Sequence, residues 1–472
     1  MILDLPDPRP ELDADVGLDA DPDGLSEVDG LDGTGDAGDD GLDSEHESDV
    51  DPCARSTCGV EELCGEGGTG DGLDNDCDDD VDETCECPGI GVARTCFPGD
   101  PFICAPAQPC AGVCVRGVQE CEPSGVWGPC RDAVTPTTET CNAVDDDCDG
   151  VADEGLASCT PALNCPGTTR IAPMSWVSLD GSSIYSGTVE SFAWDVFCPA
   201  TIPPSLCPAP EEAVAPDTRV YIVASGTYRA RTTIRASGDL HVCEFALIAE
   251  SSGLRVELTW DTQGAGFGDT DLDLHLHRPG PETAFFSADD CCYSNCKGST
   301  YSDAVSAAWD LAPTDDLLAC RDAPHGEGAL WVATGSCYNP RLDIDVVYCA
   351  REITDPANAS YCAPENINVD NPPSGEPLRI MVNYYSAHSF RSTTQALVNV
   401  YCGGSLRAAF GPAPLRNGAS YGSSNDSWYV ADVQFATGPC GVYDCRIVPL
   451  FTSEGDYVIE TGGGFGPAWS RF

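Results

Sequence analysis

The sequence predicts a mainly β protein that is rich in disulfide bonds, and three observations support this prediction. The chain of 472 residues contains 29 cysteines, and 16 of them lie between Cys53 and Cys165. Beyond that segment, short runs of alternating apolar and polar residues are separated by Gly, Asp and Ser, a pattern typical of antiparallel strands. Two nearly identical acidic loops, residues 74–83 and 145–154, form an internal repeat.

These patterns divide the chain into four parts. We expect a disordered acidic leader (residues 1–52), a disulfide-rich acidic metal-binding module (53–165), an immunoglobulin-like sandwich (166–252) and a larger antiparallel β-sandwich (253–472) with an insertion near 299–340. The leader carries 19 acids and one base, so self-repulsion and a lack of apolar surface favour an extended tether. The alternative is a weak calcium-binding leader.

The charge and the cysteines indicate where the protein works. A net charge of −56 argues against nucleic acid as a partner and favours cations. Dense cysteines indicate an oxidising compartment, and the paired C-x-x-C spacing of zinc sites is not found. No run of 18 apolar residues predicts a membrane span. Residues 1–5 lack the features of a signal peptide, so we expect an export signal, and a possible lipid anchor, upstream of the given start.

The two acidic loops have the spacing of a site for a hard cation. Each loop places carboxylates at its positions 1, 3, 5 and 9, so alternate side chains can turn towards one calcium ion. Gly150 at position 6 allows a sharp bend in the second loop, whereas Asp79 stands there in the first and predicts a weaker site. The predicted ligands are Asp145, Asp147, Asp149 and Asp153, and, in the first loop, Asp74, Asp76, Asp78 and Asp82.

The sequence around these loops resembles a known repeat. Cys148 follows Asp147, and a C-G-x-W-G-x-C-like element ends at Cys130 between the loops. These features resemble the MopE-type putative metal-binding repeat of bacterial surface proteins. The resemblance implies cation-binding loops that disulfides stabilise, on an exported protein. Because a thiolate suits softer metals, we expect Cys148 to form a disulfide and not to bind the ion. The alternative is an acidic turn that a disulfide holds without metal.

Residues 166–252 are similar to a PKD domain. The L-D-G-S string from Leu179, the W-D-V string from Trp194 and the G-T-Y string from Gly226 occur in the expected order. The resemblance implies a small immunoglobulin-like sandwich of a surface protein. Trp194 is predicted to be a core residue, with sugar binding as the alternative. Three cysteines lie between Cys198 and Cys243, so one of them must pair outside this part or stay free.

Residues 253–472 resemble a YfaP-like β-sandwich domain of exported bacterial proteins. A T-W string, a D-x-D-L-H string, a D-I-D string and a P-E-N-I-N string support the resemblance, which implies fold and location more than activity. Six oxygen-bearing residues of these strings are predicted to converge on calcium: Asp271, Asp273, Asp343, Asp345, Glu365 and Asn366. A solvated strand face with turn-forming residues is the alternative. His275 and His277 share a face and offer a zinc or copper site, or they are packed side chains.

Two classes of function remain open. The first is a non-catalytic, calcium-binding surface protein, expected to be an exported lipoprotein, that presents β-sandwich domains to an extracellular protein or polysaccharide. The second is an exported hydrolase or a carbohydrate-binding accessory protein, which requires paired carboxylates in a cleft or an exposed aromatic strip. Residues 418–422 match G-x-S-x-G, but a loop follows the match and the sequence has no histidine after it. We therefore do not assign it to catalysis. An odd number of cysteines leaves one thiol in a monomer.

Overall fold

We describe the chain from a computed structural model. It describes residues 64, 70, 72, 74, 80–99, 103–104, 110, 112–142, 144–149, 153, 156, 163–185, 187–236, 238–261, 270–280, 284–297, 307, 309, 311–313, 320, 331, 335–347, 364–387, 393–417, 425–437 and 443–461. All of these belong to one unit, Asp51–Phe472. The predicted tether, residues 1–52, and the loop positions Asp76, Asp78, Asp79 and Gly150 lie outside the described residues.

The prediction of a mainly β, disulfide-rich fold is confirmed. Two short 3-10 segments, Gly181–Ser183 and Pro204–Leu206, accompany the strands. Within the described residues, no helix is long and apolar enough to cross a membrane. The strands are Ala93–Cys96 (β1), Gly117–Glu120 (β2), Thr169–Ile171 (β3), Ser175–Asp180 (β4), Ser191–Phe197 (β5), Asp217–Ile222 (β6), Gly226–Ala236 (β7), Asp239–Ala249 (β8), Leu254–Asp261 (β9), Asp271–His277 (β10), Asp290–Cys291 (β11), Arg341–Leu342 (β12), Glu365–Val369 (β13), Pro377–Ser386 (β14), Thr394–Cys402 (β15), Ser405–Leu415 (β16), Asp426–Thr437 (β17), Tyr443–Pro449 (β18) and Val458–Thr461 (β19).

Two antiparallel sheets contain most of the strands. The first has the order β12-β13-β9-β15-β16-β1-β2, and the second has the order β11-β10-β14-β17-β18, with β19 also paired to β17. Their apolar side chains share one core, which includes Val256 of β9, Leu274 of β10 and Val400 of β15. The disulfide Cys402–Cys445 links β15 of the first sheet to β18 of the second.

Residues 166–252 form two smaller sheets. One has the order β3-β8-β7-β5 and the other pairs β4 with β6. The β3–β8 pair is parallel, whereas the sequence predicted only antiparallel strands here. Trp194 is buried and meets the ring of Phe245 edge-on at 6.4 Å, so its prediction as a core residue is confirmed. Cys243 pairs with Cys165, outside this part of the chain, which is one of the two outcomes that the odd number of cysteines allowed.

The cysteine-rich segment joins the first large sheet. Strand β1 pairs with β16 through Ala93 and Ala409, so β1 and β2 extend that sheet. Large apolar side chains are few in this segment, and disulfides offset the small core by restricting the unfolded chain. In the described part of the chain they are Cys64–Cys85, Cys87–Cys121, Cys96–Cys130, Cys104–Cys110 and Cys114–Cys148. Farther along, Cys198–Cys207, Cys291–Cys296 and Cys320–Cys337 close short loops.

Candidate metal centre

Strand β10 places a row of polar side chains in the interior of the protein. Its three leucines pack into the main core, and alternate residues of a strand point to opposite faces. The rings of Phe285 and Phe286 lie over the other face, with centroids 5.7 and 4.4 Å from that of His275. That face therefore carries four polar residues, all of them buried: Asp271, Asp273, His275 and His277.

Three carboxylates converge at the start of this row. Asp271, Asp273 and Asp345 are buried, and each offers one oxygen such that these atoms lie within 4.8 Å of one another. Asp345 comes from the segment after β12, more than 70 residues along the chain from Asp273. Oxygen atoms at this spacing can share one cation. We call this group, together with Glu365, the β10 carboxylate cluster.

Glu365 reaches the cluster from the opposite sheet. Its Oε1 accepts a hydrogen bond of 3.1 Å from the backbone N–H of Leu274. Its Oε2 is buried and has no hydrogen-bond partner among the described residues. Burial raises the pKa of Glu365 well above its usual range, and the nearby Asp345 and Asp273 carboxylates raise it further. The cluster is therefore strongly disposed to take up a positive charge, either a proton or a metal ion.

Asp273 has the same electrostatic environment. Burial raises the pKa of this carboxyl well above its usual range. The negative charges of Asp271 and Asp345 raise it further. Its Oδ2 is buried and makes no hydrogen bond within the described part of the chain. One cation already lies close by, because the ammonium group of Lys297 forms an ion pair with Asp345. The positive charge of Lys297 lowers the pKa of Asp273, but one ammonium group does not balance four carboxyl groups.

The sequence did not single out two residues beside this cluster. Lys297 is the only lysine of the chain. Its contact with the cluster depends on an ion pair with Asp345, which is distant in sequence. Asn383 lies directly opposite Asp273 on β14, and opposite residues of an antiparallel pair project to the same face. The Oδ1 of Asn383 is buried without a hydrogen-bond partner in the described chain, so it is a further oxygen that can face a cation.

Two of the six predicted ligands belong to a different network. Asn366 Oδ1 accepts hydrogen bonds from Arg255 Nη1 at 3.0 Å and from Asn368 Nδ2 at 2.8 Å. Asp343 accepts from Trp331 Nε1 at 3.0 Å and from Asn368 Nδ2 at 2.9 Å. The structure therefore brings Asp271, Asp273, Asp345 and Glu365 together and does not group Asp343 and Asn366 with them. Glu365 and Asn366 are neighbours on one strand, so their side chains point to opposite faces of the sheet.

The second acidic loop forms a separate group of carboxylates. Glu139, Asp145 and Asp147 each offer an oxygen within 4.8 Å of the others. The sequence analysis did not assign Glu139 as a ligand. Its Oε1 accepts from the backbone N–H groups of Asp146 and Asp147 at 2.6 and 2.9 Å, and its Oε2 accepts from that of Asp153 at 2.7 Å. Glu139 is therefore the residue that holds the loop together.

Asp149 and Asp153, the other predicted ligands of this loop, have different surroundings. The side chain of Asp149 is exposed, and its backbone N–H donates to Asp145 Oδ1 at 3.1 Å and to Asp147 Oδ1 at 3.2 Å. Asp153 Oδ1 accepts from the backbone N–H of Asn142 at 2.9 Å. Cys148 is in a disulfide with Cys114, as the sequence predicted. The loop thus gathers Asp145 and Asp147, while the carboxylate of Asp153 binds the backbone at Asn142.

The first acidic loop differs from the second at Asp82, the last of its predicted ligands. Asp82, at the repeat position of Asp153, forms an ion pair with Arg94 and accepts a hydrogen bond of 2.7 Å from the backbone N–H of Gly72. Both Asp82 and Asp153 adopt the left-handed backbone region, with φ of 52° and 59°. Asp74 is fully buried. The repeat is therefore visible in the backbone, while an arginine neutralises the carboxylate of Asp82.

The fold and these groups define a class of protein. It is a disulfide-rich, mainly β protein, and its disulfides indicate a non-cytoplasmic, secreted protein. Its buried and loop carboxylates are arranged in groups that can hold a metal ion. A comparison with protein-family models finds no family that matches the chain. A comparison with curated proteins likewise finds no match.

Proposed function

We propose that the protein is a non-catalytic, calcium-binding exported protein whose larger β-sandwich carries the principal calcium site. The observation that supports this most is the β10 carboxylate cluster, in which Asp271, Asp273 and Asp345 converge in the interior. Carboxylates are rarely buried together because their charges repel and each loses its hydration. A divalent cation offsets both costs.

Calcium fits the chemistry of this cluster better than other common ions. The group supplies oxygen atoms only, which suits a hard cation and disfavours the thiophilic metals. Calcium takes six to eight oxygens at flexible geometry, and carboxylates can contribute both of their oxygens. Magnesium usually retains several water molecules. It therefore fits this cluster less well, because Asp273 and Glu365 are almost fully buried in the interior.

The second acidic loop is proposed as a weaker calcium site. Glu139, Asp145 and Asp147 supply its carboxylates, but Asp147 is only half-buried and Asp149 is exposed. Water can satisfy exposed carboxylates, so an ion gains less free energy there than in the interior. The first loop, in which Arg94 neutralises Asp82, is proposed to bind more weakly still.

The proposed location is the cell surface or the extracellular medium. The disulfides support an exported protein, and the sandwich domains are the type of scaffold that surface proteins use to contact another protein or a polysaccharide. The hydrolase alternative gains little support from a cavity of about 550 Å³ that Arg116, Arg170 and Glu250 help to line. The carboxylate of Glu250 forms an ion pair with Arg170 there, so a cation of the chain already neutralises it.

Calorimetry on the oxidised full chain tests the proposal. Calcium should bind to the chelator-treated protein, and Asp273→Asn should weaken the tighter site at least about tenfold because it removes a charged ligand. Asp343→Asn is the matched control, since Asp343 is also a buried carboxylate but lies in the arginine–asparagine network. It should leave the calcium affinity unchanged. Absence of binding heat in the folded parent, or equal losses in the two variants, would contradict the proposal.

A further inference from the structure

A second group of potential ligands lies farther along the polar face of β10. His275, Asp290 and Cys292 are all buried, and each offers a ligand atom such that these atoms lie within 4.8 Å of one another. This group differs in chemistry from the β10 carboxylate cluster because it combines an imidazole, a carboxylate and a thiol. We call it the His275 group.

The backbone around the group is firmly held. Strand β11 pairs with the end of β10 through Cys291 and Leu276, and the disulfide Cys291–Cys296 closes the segment. The side chain of Asn295 donates to the carbonyl oxygens of Ser287 and Asp290 at 3.0 and 2.7 Å. The three ligand-bearing side chains therefore project from a supported turn and a central strand, as a metal site of defined geometry requires.

Two polar atoms of the group make no hydrogen bond to any described residue. His275 Nδ1 lies 2.7 Å from Asp290 Oδ2, which also accepts from the backbone N–H of Phe286 at 2.6 Å. His275 Nε2 and Asp290 Oδ1 are both buried, and neither has a hydrogen-bond partner in the described part of the chain. A buried polar atom without a partner costs about 1–3 kcal/mol, and both atoms have a lone pair that can bind an ion.

Cys292 is an independent observation. It is the free cysteine among the described residues, although the residue before it is in a disulfide and the fold belongs to an oxidising compartment. Among the described residues, its Sγ has hydrogen-bond contacts with the hydroxyl of Ser294 at 3.2 Å and the Oδ1 of Asn295 at 3.7 Å. A free thiol beside a disulfide is exposed to exchange unless burial or a ligand protects it.

We propose that the His275 group is a site for a single borderline-soft divalent cation of the zinc type. Zinc accepts imidazole nitrogen, thiolate sulfur and carboxylate oxygen together, usually at tetrahedral geometry. Bonds of about 2.0–2.3 Å place tetrahedral ligand atoms roughly 3.3–3.8 Å apart, so a small change of side-chain torsions closes the group onto one ion. The hydroxyl of Ser294 or a water molecule supplies the fourth position.

His277 is a built-in control for this site. It lies on the same face of the same strand, but its Nδ1 is 2.6 Å from the carbonyl oxygen of Arg278 and its Nε2 is 3.1 Å from that of Ala284. Both ring nitrogens therefore face acceptors of the backbone, and His277 is not assigned to the metal. If both histidines bound the metal, substitution of either would weaken metal binding. In the proposed site, only substitution of His275 weakens it.

Cobalt provides the direct test, because Co²⁺ replaces zinc and a thiolate bound to it produces an intense charge-transfer absorption. The oxidised, chelator-treated full chain should develop this absorption up to one Co²⁺ per chain, and Zn²⁺ should abolish it. Cys292→Ser should remove the absorption, and His275→Gln should weaken cobalt binding at least about tenfold. His277→Gln should retain it. Near-ultraviolet circular dichroism and melting in chelator establish that each variant is folded.

Protection of the thiol is a second measurement that does not depend on a variant. Zn²⁺ should slow the reaction of Cys292 with an alkylating reagent in the folded protein, with peptide mapping to identify the residue. The proposal is overturned if the folded parent shows no charge-transfer absorption, if the absorption survives in Cys292→Ser, or if mapping finds Cys292 in a disulfide. Calcium titrations of the same variants report on the β10 carboxylate cluster separately, so either site can fail alone.

Discussion

The β10 carboxylate cluster and the second acidic loop contain the same kind of residue in opposite surroundings. In the loop, backbone N–H groups satisfy the carboxylates: Glu139 alone accepts three such hydrogen bonds. In the β10 cluster, Asp273 Oδ2 and Glu365 Oε2 are buried and make no hydrogen bond within the described chain. The loop can therefore keep its shape through its own hydrogen bonds, whereas the interior cluster depends on protons or a cation.

The comparison shows why a count of carboxylates is a poor guide to a metal site. The loop has the more regular acidic spacing in the sequence, yet much of its charge is solvated or used to fix the backbone. The cluster draws its members from β10, β13 and the segment after β12, and burial makes each of them costly to leave charged. The larger response to calcium should come from the site with the weaker sequence pattern.

The largest expected effect is that calcium offsets a loss of stability that rising pH causes in its absence. Burial, followed by neighbouring carboxylates, raises the pKa of Asp273 and of Glu365. A carboxyl with a raised folded pKa contributes stability that is full below its ordinary pKa of about 4 and is lost as the pH rises through the raised value. In chelator, the free energy of unfolding should therefore fall as the pH rises above about 4. Calcium at 100 times its Kd should restore about 2.7 kcal/mol at neutral pH.

Denaturant unfolding at several pH values, in chelator and in calcium, measures this effect. Asp273→Asn should flatten the pH dependence in chelator and reduce the response to calcium. Asp147→Asn, in the second acidic loop, should leave both nearly unchanged. If the parent and Asp273→Asn show the same pH dependence, the raised pKa values do not govern the stability of the fold. If Asp147→Asn has the larger effect, the order of the two sites is the reverse of our proposal.

An intermediate effect is expected in the loop when its hydrogen-bond hub is altered. Glu139→Gln keeps the size of the side chain but leaves only one carbonyl oxygen for three backbone donors, those of Asp146, Asp147 and Asp153. Loss of such bonds should lower local stability by about 1–3 kcal/mol. Hydrogen exchange of these amides should accelerate accordingly, without a change in the amides of β10. Glu122→Gln, at an exposed position of the same segment, is the control. Unchanged exchange in Glu139→Gln would show that the loop does not depend on Glu139.

Local periodicity predicted the faces of the strands well. The alternation along β10 correctly separated its leucines, which lie in the core, from its aspartates and histidines. The same rule, applied to β13, would have separated Glu365 from Asn366, because neighbouring residues of a strand face opposite sides. A grouping by residue type places both on one ion, although the alternation of the strand already assigns them to opposite faces.

The remaining members of the sites depend on contacts that are distant in sequence. The pairing of Asp345 with Lys297 and the place of Asn383 beside Asp273 follow from sheet topology, which local patterns do not specify. Glu139 is near the acidic loop, but its role rests on the direction of three backbone N–H groups. For the His275 group, the sequence shows Asp290, Cys291 and Cys292 downstream of the strand with the histidines. Which cysteine stays free follows only from the disulfide Cys291–Cys296.

The smallest expected effect concerns Lys297, and it tests how the β10 cluster is balanced. Lys297 forms an ion pair with Asp345, and its side chain is 20% exposed, so its ammonium group partly neutralises the cluster without being sealed inside it. Lys297→Met removes this positive charge and should raise calcium affinity a few-fold, because the ion then meets less repulsion. The variant should also be less stable in chelator, since the carboxylates lose their one nearby ammonium partner. Lys297→Arg keeps the charge and should resemble the parent in calorimetry. A weaker calcium affinity in Lys297→Met would instead mean that the lysine positions Asp345 for the ion, and that its charge matters less than the geometry it maintains.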